Sequence, residues 1–131
     1  MPETTTEKKR YEITVTAATR YLPEQSDEQA GRYVFAYTMT IRNTGTEAAR
    51  LVSRHWIIKD AAGLVQEVRG LGVVGDQPVI QPGESYEYSS GTSIATPVGT
   101  MRGSYQMVAG NGETFDADIP EFTLSMPRTL H

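Results

Sequence analysis

The sequence contains no cysteine, which excludes a disulfide framework, a thiolate nucleophile and any cysteine-based zinc or iron–sulfur site. A reducing compartment fits. Histidine is almost as scarce: His55 lies beside Trp56 and His131 is terminal, so a site shared between them is not expected. Positive charge is also short, with 12 Lys and Arg scattered among 16 Asp and Glu and a net charge of -4. Nucleic-acid affinity rests on clustered positive charge, so no nucleic-acid partner is expected. No apolar run approaches the roughly 20 residues needed to span a bilayer, and the first ten residues, Met-Pro-Glu-Thr-Thr-Thr-Glu-Lys-Lys-Arg, are polar with no apolar core. The chain therefore reads as cytoplasmic, with no membrane insertion. Helical periodicity is missing too, so little helix is expected.

What is present is alternation punctuated by turns. The 131 residues, 38% hydrophobic and 21% charged, suffice for one domain with one core. Residues 1–10 read as a flexible N-terminal arm, 11–124 as the folded domain and 125–131 as a C-terminal tail. Residues 11–22 alternate Ile13, Val15 and Ala17 against threonines, a first strand. After a polar loop over 23–31, Tyr33, Phe35, Tyr37, Met39 and Ile41 recur with a period of two, which makes them candidate core. Asn43-Thr44-Gly45 is a turn signal, and residues 51–59 form a third strand on which alternation groups Val52, Trp56 and Ile58. Asp60 to Gly63 is a tight turn returning residues 64–68 as a hairpin partner. A glycine-rich loop over 70–75 follows, then strands over 85–89, 101–108 and 113–124. Turn signals at intervals of about 8–12 residues predict an all-β, two-sheet β-sandwich of the immunoglobulin or fibronectin type III-like kind, with about seven strands.

Gly70, Gly72 and Gly75 satisfy the G-x-G-x-x-G spacing, but Asp76-Gln77-Pro78 stands where a dinucleotide fold needs its helix to begin. That spacing works only between a strand and a helix. What the loop can still offer is a nest of backbone N–H groups, with Arg69, Gly70, Gly72 and Gly75 as candidate anion-binding residues. Glu67, Asp76, Glu84, Asp116 and Asp118 supply carboxylates for a divalent cation without any dense ligand spacing, so no metal site is assigned and no cofactor is expected. Ser53 and His55 share a strand face, yet no serine sits in a strained elbow and no acid partner is specified. No catalytic residue is assigned. Tyr86 and Tyr88 would anchor a partner if exposed.

The run from Arg54-His55-Trp56 to Asp60, the segment Glu67 to Pro78, Gln81-Pro82-Gly83-Glu84, Tyr86 to Gly91, Gly99 to Tyr105 and Phe115 to Phe122 together resemble the bacterial ApaG family. The resemblance spans residues 11–124. It implies a fibronectin type III-like sandwich, a domain also fused in some eukaryotic proteins as a protein-interaction module. It also implies an association with cobalt and magnesium tolerance or efflux, and a gene neighbourhood shared with a diadenosine tetraphosphate hydrolase. Trp56 is placed where such sandwiches bury their largest core residue, and Tyr105 is placed like a tyrosine-corner residue. Function is thus expected to be non-enzymatic binding of a protein partner of unspecified identity. The alternative is a small-ligand binder holding an anion at 70–75 or a divalent cation.

Overall fold

A computed structural model describes residues 9–127. Eight strands run in chain order: β1 Ile13–Tyr21, β2 Tyr33–Asn43, β3 Ala49–Asp60, β4 Val65–Leu71, β5 Val79–Ile80, β6 Ser85–Ile94, β7 Val98–Ala109 and β8 Thr114–Ser125. The only helical element among the described residues is a 3-10 turn over Pro23–Gln25. The strands form two antiparallel sheets, β1-β2-β6 and β4-β3-β7-β8, with β5 added to β3. Their inner faces enclose the core, so the molecule is the two-sheet β-sandwich that the alternation predicts.

Tyr37, Phe35, Met39 and Ile41 are buried on β2, opposite Leu51, Trp56 and Ile58 of β3 and Met101, Tyr105 and Met107 of β7. Trp56 is at the centre. Its ring meets Tyr37, Phe122 and Tyr105 edge-on, with centroids 5.4, 5.9 and 6.3 Å away. Val52 departs from the simple alternation. The register between β3 and β7 shifts between Leu51 and Ser53, a bulge in which Val52 is the extra residue. Ala49 and Leu51 therefore face the core before it, and Trp56 and Ile58 after it. The first strand also departs from simple alternation: Val15 is buried whereas Ala17 is exposed, although the pairing with β2 is unbroken from Ile13 to Tyr21.

Two buried polar side chains pin the turns. Asn43 donates through Nδ2 to the carbonyls of Glu47 and Ile80, both at 2.8 Å, and its Oδ1 accepts from the Gly45 amide. Asp60 Oδ1 accepts from the amides of Ala62 and Leu64 at 2.9 Å, closing the β3–β4 hairpin. Tyr105 does not form a tyrosine corner. Its hydroxyl bonds the Tyr88 hydroxyl across the sandwich at 2.7 Å instead of reaching back to the backbone, and burial pushes both phenols up. Tyr88 is accordingly core and no surface anchor.

One lateral side of the sandwich is closed where β1 lies alongside β8; Tyr11 stacks on Phe115 at 5.2 Å and receives a hydrogen bond from Asn111. Lys9 and Arg10, placed by the sequence in the arm, accept backbone hydrogen bonds from Thr46. The rest of the arm, residues 1–8, and residues 128–131 of the tail with His131 lie outside the described residues.

Trp56→Ala should destabilise the domain by ~3–5 kcal/mol, the range for truncating a large aromatic in a packed core. Denaturant unfolding measures it. Removing the Asn43 side chain by Asn43→Ala leaves two carbonyls without their donor and should cost about 2–3 kcal/mol in the same assay; a neutral result would show that water replaces the amide.

Candidate functional site

The far lateral side is built differently. β4 pairs only with β3, and its burial pattern is exposed almost throughout. It carries large apolar side chains into solvent: Val65 is 51% exposed, Val68 39% and Leu71 75%, flanked by Leu64 at 59% and Val74 at 65%. The strand also runs further than the sequence predicts. Gly70 and Leu71 belong to β4, so the glycine loop starts at Gly72. Gly70 keeps strand geometry because its missing side chain makes room for Arg54: a Cβ there would fall 2.7 Å from the guanidinium nitrogens. Arg54 passes over this gap and donates to the carbonyls of Leu71 and Gly72 at 3.0 and 2.8 Å.

Beyond β4 the chain turns back on itself. Val73 and Asp76 exchange backbone hydrogen bonds of 2.8 and 2.9 Å around Val74 and Gly75, whose φ angles are 48° and 83°. Two successive positive φ values make this a type I′ turn, which favours Asn-Gly and strains a β-branched residue. The turn is held on two sides. The carbonyl of Val52, turned toward β4 by the bulge in the β3–β7 ladder, accepts from the Gly72 amide and from Gln77 Nε2, and Tyr86 on the opposite sheet donates to Asp76 Oδ2 at 3.0 Å.

The four candidate anion-binding residues thus separate. Gly72 and Gly75 share the turn, whereas Arg69 and Gly70 stand on β4. The amides of Gly72, Val73 and Asp76 are all engaged in backbone bonds. Arg69 lies on the outer sheet face, 3.7 Å from Glu67 Oε1. The same carboxylate accepts from His55 Nε2 at 2.8 Å, and since a carboxylate only accepts, that nitrogen carries the proton. This hydrogen bond, more than the nearby charges, holds the Glu67 carboxyl below its ordinary value. Ser53 is also outward, but its hydroxyl bonds Gln106 Oε1 at 2.8 Å, so Ser53 and His55 each have another partner. Among the described residues no three of His, Asp or Glu gather as a metal-ligand group.

Sequence reasoning missed Arg54, the strained Val74 and the apolar edge. A signal for the edge was present, since Val65, Val68, Leu71 and Val74 recur every third residue, a spacing that a strand with one buried face cannot hide from solvent.

Fold and site together define a small β-sandwich domain with one apolar, unpaired sheet edge. The family model for the ApaG domain matches residues 23–109. Over 125 residues the chain is 66% identical to Protein ApaG of Thiobacillus denitrificans and also to that of Nitrosospira multiformis, covering 95% of this chain and 98% of each relative. The crystal structure of an ApaA protein from Bordetella pertussis superposes with a TM-score of 0.90 at 56% identity, over 94% of this chain and 100% of that one. The chain belongs to the ApaG family.

Val74→Asn should raise stability by about 1 kcal/mol, because Asn tolerates the left-handed backbone that penalises a β-branched residue. Thermal unfolding reads it, and a loss would mean that the Val74 side chain contributes packing. The Glu67 pair adds an acid-side dependence: with its carboxyl lowered from 4.5, the pair contributes stability above that pH and loses it as pH falls through the lowered value. In His55→Ala the Glu67 carboxyl should titrate closer to its ordinary value by NMR.

Proposed function

We propose that this chain is a non-enzymatic interaction module that docks a protein partner through the β4 edge and the turn after it, in the cytoplasm. The carrying observation is the exposure of Val65, Val68 and Leu71 on a strand with a free hydrogen-bonding edge, with exposed Leu64 just before it and exposed Val74 in the turn after it. An unpaired edge accepts an extended segment of a partner, with main-chain bonds supplying affinity and side chains supplying selectivity. Exposed apolar patches of this kind mark interaction sites. The strand order β1-β2-β6 facing β4-β3-β7-β8 supports the fibronectin type III-like description, a scaffold suited to such docking. On this reading any part in cobalt or magnesium tolerance runs through the partner, and Arg69, Gly70, Gly72 and Gly75 serve to shape the edge and its turn.

The test is affinity capture from the source cytoplasm with the wild-type domain and with Leu71→Lys/Val74→Lys as baits. The proposal expects a partner retained by the first and lost by the second, with both variants folded by thermal melting. Phosphate, ATP, cobalt and magnesium should leave the melting temperature unchanged; a saturable rise with any of them would favour a small-ligand binder instead, since a ligand of the native state alone must stabilise it.

A further inference from the structure

We infer that the partner for the β4 edge includes a second copy of this chain, joined by antiparallel β4–β4 pairing about a two-fold axis at Val68. This rests on reading β4 as a docking edge. The strand reads Val65-Gln66-Glu67-Val68-Arg69-Gly70-Leu71, and its order is complementary to its own reverse. An antiparallel partner centred on Val68 sets Glu67 opposite Arg69 of the second copy, and Arg69 opposite Glu67. Val65 then meets Leu71, Val68 meets Val68, and Gln66 meets the bare Gly70. Opposite charges or apolar pairs fall across from each other at every step but the neutral Gln66–Gly70 one, the arrangement that favours cross-strand pairing. Had the two charged residues shared one sign, the same axis would place like charges face to face.

The hydrogen-bonding parity agrees. Asp60 N donates to the Leu64 carbonyl at one end of the β3–β4 ladder, and Gly72 N donates to the Val52 carbonyl at the other. The register between them is unbroken from Lys59↔Val65 to Ser53↔Leu71. In an antiparallel ladder both main-chain groups of a residue point the same way and alternate along the strand. Gln66, Val68 and Gly70 therefore face β3, while Val65, Glu67, Arg69 and Leu71 present N–H and C=O to the free edge. The proposed axis pairs these outward residues only with one another, so Glu67 and Arg69 of the two copies exchange main-chain bonds reciprocally. Arg54 already caps the Leu71 carbonyl at 3.0 Å, which centres the shared ladder on Glu67 and Arg69. Glu67 and Arg69 are 56% and 71% exposed in their side chains, available to a second copy although Glu67 also holds His55. The contact is isologous and closes after two copies, joining two five-stranded sheets into one.

Sedimentation equilibrium on the full chain over a wide concentration range is the first measurement. The proposal expects a reversible dimer. Glu67→Arg and Arg69→Glu should each be monomeric, because each sets like charges across the axis. An equimolar mixture of the two variants should associate again, since every cross-axis pair is then opposite in sign. Hydrogen exchange on the unmodified chain decides without any variant: the amides of Glu67, Arg69 and Leu71, whose acceptors across the axis are free of Arg54, should slow by about tenfold or more from dilute to concentrated solution, while those of Gln66, Val68 and Gly70 do not change. A wild-type chain that stays monomeric, a dimer indifferent to both charge reversals, or protection that does not follow this alternation would each overturn the self-pairing. A monomer that still captures a partner through Leu71 and Val74 would sink the self-pairing alone; a capture indifferent to those residues would sink the docking reading as well.

Discussion

The single-residue bulge at Val52 is the constraint on which the edge of the molecule depends. It divides β3 into a half that pairs with β5, at Ala49 and Arg50, and a half that pairs with β4, from Ser53 to Lys59. Both short strands use the same side of β3, and the chain between them must bulge outward to pass from one to the other. The carbonyl that the irregularity turns toward β4 is what holds that passage, through Gly72 and Gln77. The same extra residue restores the facing of Ala49 and Leu51, so a local defect in the ladder keeps both halves of the strand in register with one core. Without it, one half of β3 would turn its apolar side chains to solvent.

Much of the fold was legible because burial on one face imposes a period of two. β2 and the second half of β3 show it plainly, and Trp56 stands where alternation puts it. The failures have physical causes. A bulge adds one residue without changing composition, so Val52 looked like a core position. Gly70 looked like loop because glycine is read as a turn residue, whereas here it is strand with a guanidinium in the space of its side chain. Asn43 reads only as a turn former, since nothing in the sequence reveals that Ile80, 37 residues away, brings it an acceptor. The candidate site was legible in its residue types and not in its arrangement: the glycine spacing drew attention to the right segment, but the Gly72 amide is taken by the carbonyl of Val52 and the Asp76 carboxylate by Tyr86, both distant in sequence.

The polar bonds divide the labour with the core. The burial of apolar area around Trp56 is non-directional as a driving force and does not by itself set the position of one sheet against the other. The hydroxyl pair Tyr88–Tyr105 joins the two sheets at one point, and Tyr86–Asp76 ties the turn to the opposite sheet. Directional bonds of this sort fix the relative position that burial alone does not set, and they do so on the side where the sheets are not zipped by β1 and β8.

That zipped side has a mechanical meaning. Tyr11, just before β1, stacks on Phe115 at the start of β8, so the two strands run side by side in the same direction although they belong to different sheets. The chain therefore meets the sandwich near Ile13 at one pole and leaves it near Ser125 at the other. Tension drawn through those two points runs along the strands, and the rows of inter-strand hydrogen bonds resist it together in shear instead of opening one after another. The lateral β4 edge, on the opposite side of the sandwich, lies clear of that line of tension.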